Sequence, residues 1–352
     1  MEWNGTRVLV TGHTGFKGSW LSLWLHSLGA RVTGLADGVP TDPSLYELAR
    51  VGELVDGITA DVRDFPAVLD AVQAVRPEVV IHMAAQPFVR RSFREPRETY
   101  DTNVMGTVNV LDAIRRVGDV RVALVVTSDK CYDNREQGRP FTESDPMGGR
   151  DPYSNSKGCA ELVADAYRHS FFSGTDTARV ATGRAGNVIG GGDWGEDRLI
   201  PDIMAAAAAG EPIPIRNPTA VRPWQHVLNP LAGYLQLIGA LWDDPAFAGG
   251  WNFGPALEDA RPVSWITDRI AELWPGDLRW EVDPGPHPHE AQFLALDSTK
   301  AQEQLGWTPA WDLDEALRRT VEWYLALDAG ADVRDVTLEQ AGAHVAQTGA
   351  VT

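Results

Sequence analysis

A tyrosine and a lysine four residues apart, Tyr153 and Lys157, are the residues of this sequence best suited to proton transfer. They lie in a helix-like stretch, 152–170, in which residues four apart share one face. An ammonium near a phenol lowers the phenol's pKa from about 10, so the tyrosine can take a hydroxyl proton near neutral pH. The same spacing is common on solvated helices, so the chemistry depends on the surrounding fold.

Three glycines, Gly12, Gly15 and Gly18, recur at every third position of the segment TGHTGFKG. The segment follows an apolar run, 7–11, that is typical of a strand buried in a parallel sheet. Glycine permits a tight turn and close approach of a pyrophosphate, while the N-terminus of the following helix supplies free N–H groups. The pattern at this place favours a dinucleotide-binding loop over a purely structural turn.

The acidic residue Asp37 favours NAD over NADP as the dinucleotide. It follows the second predicted strand, where a carboxylate holds the ribose hydroxyls, and the next arginine is Arg50. The alternative for Asp37 is a solvated turn residue. Asp61, after the third predicted strand, is a candidate partner of the adenine amine, and a helix cap is its alternative.

Alternating strands and helices must position these residues, and the alternation predicts an α/β fold with a doubly wound parallel Rossmann sheet. The predicted strands are 7–11, 31–35, 57–60, 78–82, 121–128 and 179–184. The predicted helices are 19–28, 66–75, 100–117, 152–170, 199–209, 230–242 and 263–273.

The alternation ends near Asn187 in a region rich in glycine and proline. We therefore expect an NAD-binding Rossmann domain with the catalytic residues over 1–186 and a smaller mixed α/β substrate-binding lobe over 187–330. Some segments are expected to cross between the two. The segment 331–352 is interpreted as a C-terminal tail with no assigned packing partner.

Composition excludes several classes of partner. The 352 residues include 31 Lys and Arg against 49 Asp and Glu, a net charge of −18 that disfavours nucleic acid and anionic membranes. No apolar stretch approaches the length of a membrane span. The two cysteines have neither CxxC nor zinc-ligand spacing, and His287 and His289 lack neighbouring metal ligands. We therefore expect no metal site, and we expect a cytoplasmic location.

The sequence resembles the extended short-chain dehydrogenase/reductase family, and within it the nucleotide-sugar 4,6-dehydratases. The resemblance extends from about residue 8 to 311. It implies that Ser128 and Asn103 complete the tetrad of Tyr153 and Lys157, and that Thr14, Phe16, Val62 and Ala84 also bind NAD. The segments that carry it are GHTGFKGSWL, AAQPFVRRS, TSDKCYDN, DPMGGRDPYSNSKGCAEL, RAGNVIGGGDWGEDRLIPD, RPWQHVLNPLAGYL and WNFGP.

The resemblance also assigns an acid and a base to Asp129 and Lys130, which follow the predicted fifth strand. In such dehydratases an acidic residue and a base at this place eliminate water between carbons 5 and 6 of a hexose. The implied reaction converts CDP-D-glucose to CDP-4-dehydro-6-deoxy-D-glucose and water, with NAD returned to its starting state. The segment 134–146 departs from the family because it lacks an aromatic insert.

A lysine can accept the carbon-5 proton only as the neutral amine. Lys130 would then need a pKa well below its usual value of about 10.4, and a neutral Asp129 beside it would allow that. The alternative is that Lys130 acts as an electrostatic clamp on the enolate while another group takes the proton.

Substrate binding is expected at the carboxyl edge of the sheet. Gln86 is a candidate for a sugar hydroxyl, and Asn187, Arg198 and Arg222 are candidates for the diphosphate because the guanidinium fork suits phosphate oxygens. A 4-epimerase, a dehydratase of another nucleotide-hexose and a non-catalytic dinucleotide sensor are the alternatives. The resemblance further implies a homodimer in which the helices 100–117 and 152–170 pack as a four-helix bundle.

Overall fold

Seven parallel strands form the central sheet of the computed structural model, which describes residues 1–285 and 293–348. Their order across the sheet is β11-β6-β5-β4-β1-β2-β3. The strands are β1 Arg7–Thr11, β2 Arg31–Ala36, β3 Asp56–Thr59, β4 Val79–His82, β5 Val122–Val126, β6 Arg179–Ala185 and β11 Gly249–Phe253.

Short strands outside this sheet pair in twos, β7 with β10, β9 with β12, and β8 with β13. They are β7 Val188–Ile189, β8 Ile213–Ile215, β9 Val221–Pro223, β10 Gln225–His226, β12 Ala260–Pro262 and β13 Trp280–Val282. The helices are α1 Phe16–Ser27, α2 Leu45–Leu48, α3 Phe65–Val75, α4 Val89–Arg94, α5 Pro96–Tyr100, α6 Gly106–Val117, α7 Pro152–Phe171, α8 Leu199–Ala209, α9 Leu228–Asp243, α10 Val263–Leu273, α11 Leu313–Asp328 and α12 Val333–Thr348.

Helices cover both faces of the sheet, because successive residues of each buried strand point to opposite sides. In β1, Val8 and Val10 join the hydrophobic cluster that contains α1, α9 and α11. Leu9 joins the cluster on the other face, which contains α3, α6 and α7. The predicted doubly wound Rossmann sheet is thereby confirmed, and the continuous apolar runs are explained by burial on both faces.

The seventh strand of the sheet, β11, was not predicted. It lies in the C-terminal half of the chain and pairs in parallel with β6, with Phe253 opposite Ala185. Helix α9, from the same half, packs against β5 and β6. Segments beyond residue 186 therefore complete the central sheet. The division into an NAD-binding domain and a substrate-binding lobe at 186/187 remains a prediction.

The described part of the C-terminal segment is not an unpartnered tail. It forms α12, which packs against α1 and α11. His344 Nε2 lies 2.9 Å from Asn229 Oδ1 of α9, and the Trp323 indole N–H donates to Thr337. The buried face of this helix includes the polar residues Thr337, Gln340 and His344, so apolar residues at helical spacing did not mark a packing face.

The strand order reverses between β1 and β4, whose carboxyl ends lie side by side. In open α/β sheets, ligands bind in the crevice outside the carboxyl ends at such a reversal. The loops that follow β1, β4 and β5 therefore converge on one edge of the molecule.

Candidate active site

A cavity of about 1510 Å³ opens at the carboxyl edge of the sheet. Its walls come from the loops after the central strands and from the irregular segments beyond residue 186. Every residue that the sequence analysis assigned to catalysis, cofactor or substrate lines this cavity, except Asp61 and Asn103. The structure thus brings together residues that are up to 210 positions apart in the sequence.

The glycine loop between β1 and α1 has no room for a side chain at Gly12 or Gly18. A Cβ on Gly18 would lie 2.1 Å from the Gly12 carbonyl oxygen, and Gly12, at φ +73°, packs against the backbone of Ala84. The hydroxyl of Thr14 donates to the Gly38 carbonyl at 2.6 Å and fixes the outer part of the loop. A tight, glycine-rich loop at a helix N-terminus fits the pyrophosphate of a dinucleotide.

The adenosine end of the cavity contains Asp37, which directly follows β2 and is exposed on the cavity wall. Asp61 does not line the cavity; its carboxylate accepts from the Arg63 guanidinium at 2.5 Å, and this pairing lowers the pKa of Asp61. Arg63 lines the wall with its charge already paired. The ribose role of Asp37 stays a prediction, and the adenine role of Asp61 has no support from the geometry.

Tyr153 and Lys157 lie one turn apart on the buried face of α7. The helix starts with Pro152, and the Asp151 side chain caps it by accepting from the Ser154 N–H at 2.9 Å. Burial raises the pKa of Tyr153 to about 12, with the charge of Asp129 adding to the effect and a hydrogen bond with Ser128 opposing it. Burial therefore outweighs the predicted lowering of this pKa by a nearby lysine.

Burial lowers the pKa of Lys157 to about 8, while the charge of Glu161 raises it. Glu161 lies one turn further along α7 and forms a buried ion pair with Arg184 of β6 at 2.7 Å. Its other partners are the hydroxyls of Thr182, at 2.7 Å, and Thr127. The carboxylate thus joins α7, β6 and the residue that follows β5.

Ser128, Asp129 and Lys130 form a tight turn directly after β5. The Ser128 hydroxyl donates to Asp129 Oδ1 at 2.9 Å, and its oxygen accepts from the Lys130 N–H at 3.3 Å. The turn buries Asp129, whose Oδ2 has no hydrogen-bond partner among the described residues and faces Gly186. Lys130 is half-buried on the cavity wall. Adjacent in sequence, the two side chains occupy different depths.

Asn103 holds the scaffold behind the cavity. Its side chain accepts from the Gln86 N–H at 2.8 Å and donates to the Gln86 carbonyl and to Ser156. The Gln86 side chain is itself engaged, because it donates to Thr99 and accepts from the Phe88 N–H. These bonds connect the loop after β4 to α7, so both residues position backbone in this structure.

The residues predicted for the diphosphate lie on the wall formed by the second half of the chain. Arg198 donates to Asp193 at 2.9 Å and lies 5.2 Å from the Phe88 ring centroid. Arg222 is buried and donates to the Val221 carbonyl at 2.9 Å. Asn187 lines the same wall. Their role toward a diphosphate remains a prediction.

The cavity residue Lys17 and its buried hydrogen-bond partner, Tyr234, escaped the sequence analysis. Lys17 lies inside the glycine motif and lines the cavity, and its amine donates to the hydroxyl of Tyr234 on α9 at 3.4 Å. A basic residue inside the glycine-rich segment was the available signal for Lys17. No comparable signal marked Tyr234, which lies in a long apolar helix.

The part of the chain that the structure describes contains no cluster of His, Cys, Asp and Glu able to hold a metal ion. His287 and His289 lie outside the described residues. None of the described helices is both long and apolar enough to cross a membrane.

Comparison with known proteins decides the family. The model of the NAD dependent epimerase/dehydratase family matches residues 8–243. The chain belongs to this family. A CDP-glucose 4,6-dehydratase of Salmonella typhimurium is 52% identical over 336 residues, which cover 94% of this chain and 94% of that protein.

Solved structures of the epimerase/dehydratase family share the fold. A dTDP-glucose 4,6-dehydratase of Streptomyces venezuelae with bound NAD has a TM-score of 0.77 at 24% identity, covering 94% of this chain and 100% of that one. A UDP-glucose 4-epimerase of Stenotrophomonas maltophila with bound NAD has a TM-score of 0.79 at 23% identity, with coverages of 93% and 100%. Because dehydratase and epimerase match equally well, the fold alone does not separate their reactions.

Membership of the NAD dependent epimerase/dehydratase family confirms two predictions, that the chain is an enzyme and that its cofactor is NAD. The glycine loop between β1 and α1 and the acidic Asp37 are both compatible with NAD.

Proposed function

We propose that this protein is a CDP-glucose 4,6-dehydratase, which converts CDP-D-glucose to CDP-4-dehydro-6-deoxy-D-glucose and water. The observation that carries the proposal is the turn Ser128–Asp129–Lys130, which puts a buried carboxyl and a half-buried amine on the wall that holds Tyr153. The 52% identity to the Salmonella typhimurium enzyme supports the choice of CDP-glucose.

As the phenolate, Tyr153 takes the proton of the carbon-4 hydroxyl, while Ser128 holds the same oxygen in place. Bound NAD supplies a site that accepts a hydride and returns it. Lys157 holds positive charge one turn below Tyr153 and thereby opposes the effect of burial on the phenol. Glu161 supports that charge from the opposite side of Lys157.

Asp129 is suited to be the acid of the elimination. A carboxyl oxygen that is buried and lacks a partner can carry a proton without losing an ion pair, and Oδ2 is such an oxygen among the described residues. It gives its proton to the departing carbon-6 hydroxyl. Lys130, on the same turn, takes the carbon-5 proton, which the 4-keto group makes acidic.

A panel of sugar nucleotides tests the substrate and the reaction together. The protein, supplied with NAD, is incubated separately with the CDP, dTDP, GDP and UDP forms of glucose. We expect a 4-keto-6-deoxy product, visible by its absorbance in alkali, from CDP-glucose at the highest rate. Formation of a galactose epimer instead would establish the 4-epimerase, and no turnover of any member would favour the dinucleotide sensor.

Two variants of Lys130 test the base. Lys130→Met removes both charge and amine, whereas Lys130→Arg keeps the charge on a group that does not release its proton in proteins. We expect both variants to lose exchange of the carbon-5 proton with solvent deuterium and to retain oxidation at carbon 4. Exchange that persists in Lys130→Arg would refute the base and leave the electrostatic clamp.

We further propose that the protein is a homodimer that pairs α6 and α7 with the same helices of a second copy. Leu162 and Phe171 of α7 are exposed, at 59% and 45%, as is Met105 next to α6, at 47%. Large apolar side chains on neighbouring helices favour association. Light scattering is expected to give a dimer for the native protein and a monomer for Leu162→Glu; a native monomer would contradict the proposal.

A further inference from the structure

The loop 193–198, which we call the bridging loop, lines the cavity, and its first residues are fixed to the second half of the chain. Asp193 is buried; its N–H donates to the Tyr324 hydroxyl of α11 at 3.2 Å, and that hydroxyl donates to the Asp193 carbonyl at 2.7 Å. The Trp194 ring packs on the rings of Trp323 and Tyr324. The base of the loop is therefore anchored on a buried helix face.

Ion pairs hold the tip of the bridging loop to the first half of the chain. Asp197 pairs with Arg90 of α4 at 3.3 Å and with Arg216, which follows β8, at 3.2 Å. The neighbouring Glu196 pairs with Arg94 of α4 at 3.1 Å. Because α4 follows β4, whereas the loop follows β7, the pairs with α4 join two walls of the cavity that come from different halves of the chain.

The contacts at the tip can break and form again far more easily than those at the base. The side chains of Asp197, Arg90 and Arg216 are between 24% and 30% exposed. An ion pair with this access to water changes an equilibrium constant by about fivefold or less. The backbone of Asp197 has a φ of +59°, which is unfavourable for a residue other than glycine. We therefore expect motion of the tip about a fixed base.

The bridging loop borders the part of the cavity that is predicted to bind substrate. Arg198, which ends the loop, is a candidate for the diphosphate, and the other candidates, Asn187 and Arg222, line the same wall. A Cβ on Gly195 would lie 3.0 Å from the ring of Phe88, the residue that precedes α4. The loop thus touches the opposite wall, and the cavity is closed between them.

We propose that the bridging loop is a gate for the nucleotide sugar and that Asp197 holds this gate closed through Arg90. The tip moves away from α4 to admit substrate and to release product, and it returns between these events. Closure serves the proposed reaction, because the hydride taken from carbon 4 returns to carbon 6 of the same molecule, which must stay bound between the two steps. The inference rests on the proposed function for the identity of the ligand.

Release of CDP, which carries no sugar and is not turned over, tests the gate. Association and dissociation rates are measured by surface plasmon resonance on the immobilised protein at saturating NAD. Asp197→Asn breaks both ion pairs, and asparagine tolerates the positive φ. Loss of a carboxylate beside a bound diphosphate would by itself slow release, because repulsion falls.

We expect Asp197→Asn to release CDP about fivefold faster or more, because the gate opens more often. Association is expected to accelerate as well, so the Kd changes less than the dissociation rate. Release that is unchanged or slower in Asp197→Asn would overturn the inference.

Asp202→Asn is the matched control. Asp202 also lines the cavity and pairs with Arg216 at 3.2 Å, but it belongs to α8, in the same half of the chain as Arg216. Its replacement removes the same charge without breaking the link to α4, so CDP release is expected to be no faster than from the native protein. Arg90→Gln should follow Asp197→Asn, and Arg90→Lys, which keeps the charge, should stay closer to the native protein. Equal acceleration in Asp202→Asn and Asp197→Asn would contradict the gate.

Hydrogen exchange, followed by mass spectrometry, observes the bridging loop without a ligand. The peptide that contains 195–198 is expected to exchange faster in Asp197→Asn than in the native protein and Asp202→Asn, and more slowly in the native protein with CDP. Equal exchange of this peptide in native protein and Asp197→Asn would overturn the inference. Thermal melting establishes that each variant is folded; if Asp197→Asn is not, ligand-free exchange in Arg90→Gln carries the test.

The same measurements separate the gate from the choice of substrate. If UDP, dTDP or GDP binds in place of CDP and shows the expected rates, the gate stands and the assignment of CDP-glucose fails. If none of these nucleotides binds at saturating NAD, both the gate for a nucleotide sugar and the proposed function fail.

Discussion

Replacing Glu161 with glutamine removes one charge from the buried pair beneath the candidate active site. Glu161 and Arg184 are 2.7 Å apart, and their side chains are 4% and 6% exposed. The Arg184 guanidinium also donates to the Tyr132 hydroxyl at 2.7 Å, but that oxygen carries no charge to balance it. The variant therefore leaves a buried cation without a counter-ion.

The expected loss of stability is large. Breaking one partner of a buried ion pair costs about 3–5 kcal/mol, because the remaining charge stays desolvated. For a chain of this length the loss corresponds to a drop in Tm of about 4–7 °C. The same substitution withdraws the charge that supports the Lys157 ammonium, so the pKa of Lys157 falls below its value of about 8.

Urea denaturation and the pH dependence of 4-keto product formation measure the two effects. We expect Glu161→Gln to lose stability by the stated amount and to lose activity at a lower alkaline pH than the native enzyme. Glu322→Gln is the matched control, because Glu322 pairs with Arg318 at an exposed site, where an ion pair contributes about 1 kcal/mol or less.

Arg184→Met added to Glu161→Gln tests whether the unpaired cation causes the loss. The double variant is expected to recover part of the stability, since it removes the unbalanced charge, but not the native pH profile. If Glu161→Gln destabilises no more than Glu322→Gln, or leaves the alkaline limb in place, the reasoning about the buried pair is wrong.

Two further predictions concern the cofactor loop and the C-terminal helix. Gly18→Ala is expected to weaken NAD binding, measured by calorimetry, by about tenfold or more because its Cβ would overlap the Gly12 carbonyl; Gly239→Ala, where a Cβ meets nothing within 4 Å, should leave it unchanged. Burial lowers the pKa of His344 from 6.5 to about 4, so the unfolded chain binds a proton on this residue more tightly than the folded protein does. The free energy of unfolding therefore falls by about 3 kcal/mol as the pH drops from above 6.5 to 4. Urea denaturation between these pH values should show a smaller decrease in the free energy of unfolding for His344→Gln than for His169→Gln, which changes an exposed side chain.

Most of the central sheet could be predicted because burial on both faces leaves continuous apolar runs, as in β1, β4 and β5. The strand β11 escaped because its sequence, GGWNF, has two glycines and a polar residue among few apolar positions. Asn252 in that strand is nevertheless fully buried, where it accepts from the Tyr132 hydroxyl at 2.7 Å. Tertiary hydrogen bonding, which no local pattern records, makes the polar residue compatible with the sheet.

The candidate site was predictable where chemistry demands a fixed local spacing. Gly12, Gly15 and Gly18 share one loop, and Tyr153 and Lys157 share one helix face, so each group is recognisable in a single short segment. Contacts between distant segments left no such mark. Lys17 and Tyr234 are 217 positions apart, and nothing in either segment indicates the other.

Asn103 and Gln86 show a related limit. Asn103 was assigned by the family resemblance and Gln86 by its place at the carboxyl edge of the sheet, yet both side chains bond to protein groups in this structure. A sequence identifies the residue type at a place but not whether its hydrogen-bonding capacity is already used. Counting those bonds separates residues that hold the scaffold from residues that can hold a ligand.

The pair Asp129 and Lys130 shows what the fold adds to a recognised motif. Neighbouring residues in an extended strand point in opposite directions, which would send one of the two side chains away from the substrate. The tight turn that follows β5, capped by Ser128, keeps both on the cavity wall and gives them different access to water. The Asp129 carboxyl is shielded from water, whereas the Lys130 amine is closer to it. One acid that retains its proton until the leaving group needs it, and one base that releases its proton afterwards, are the two requirements of an elimination.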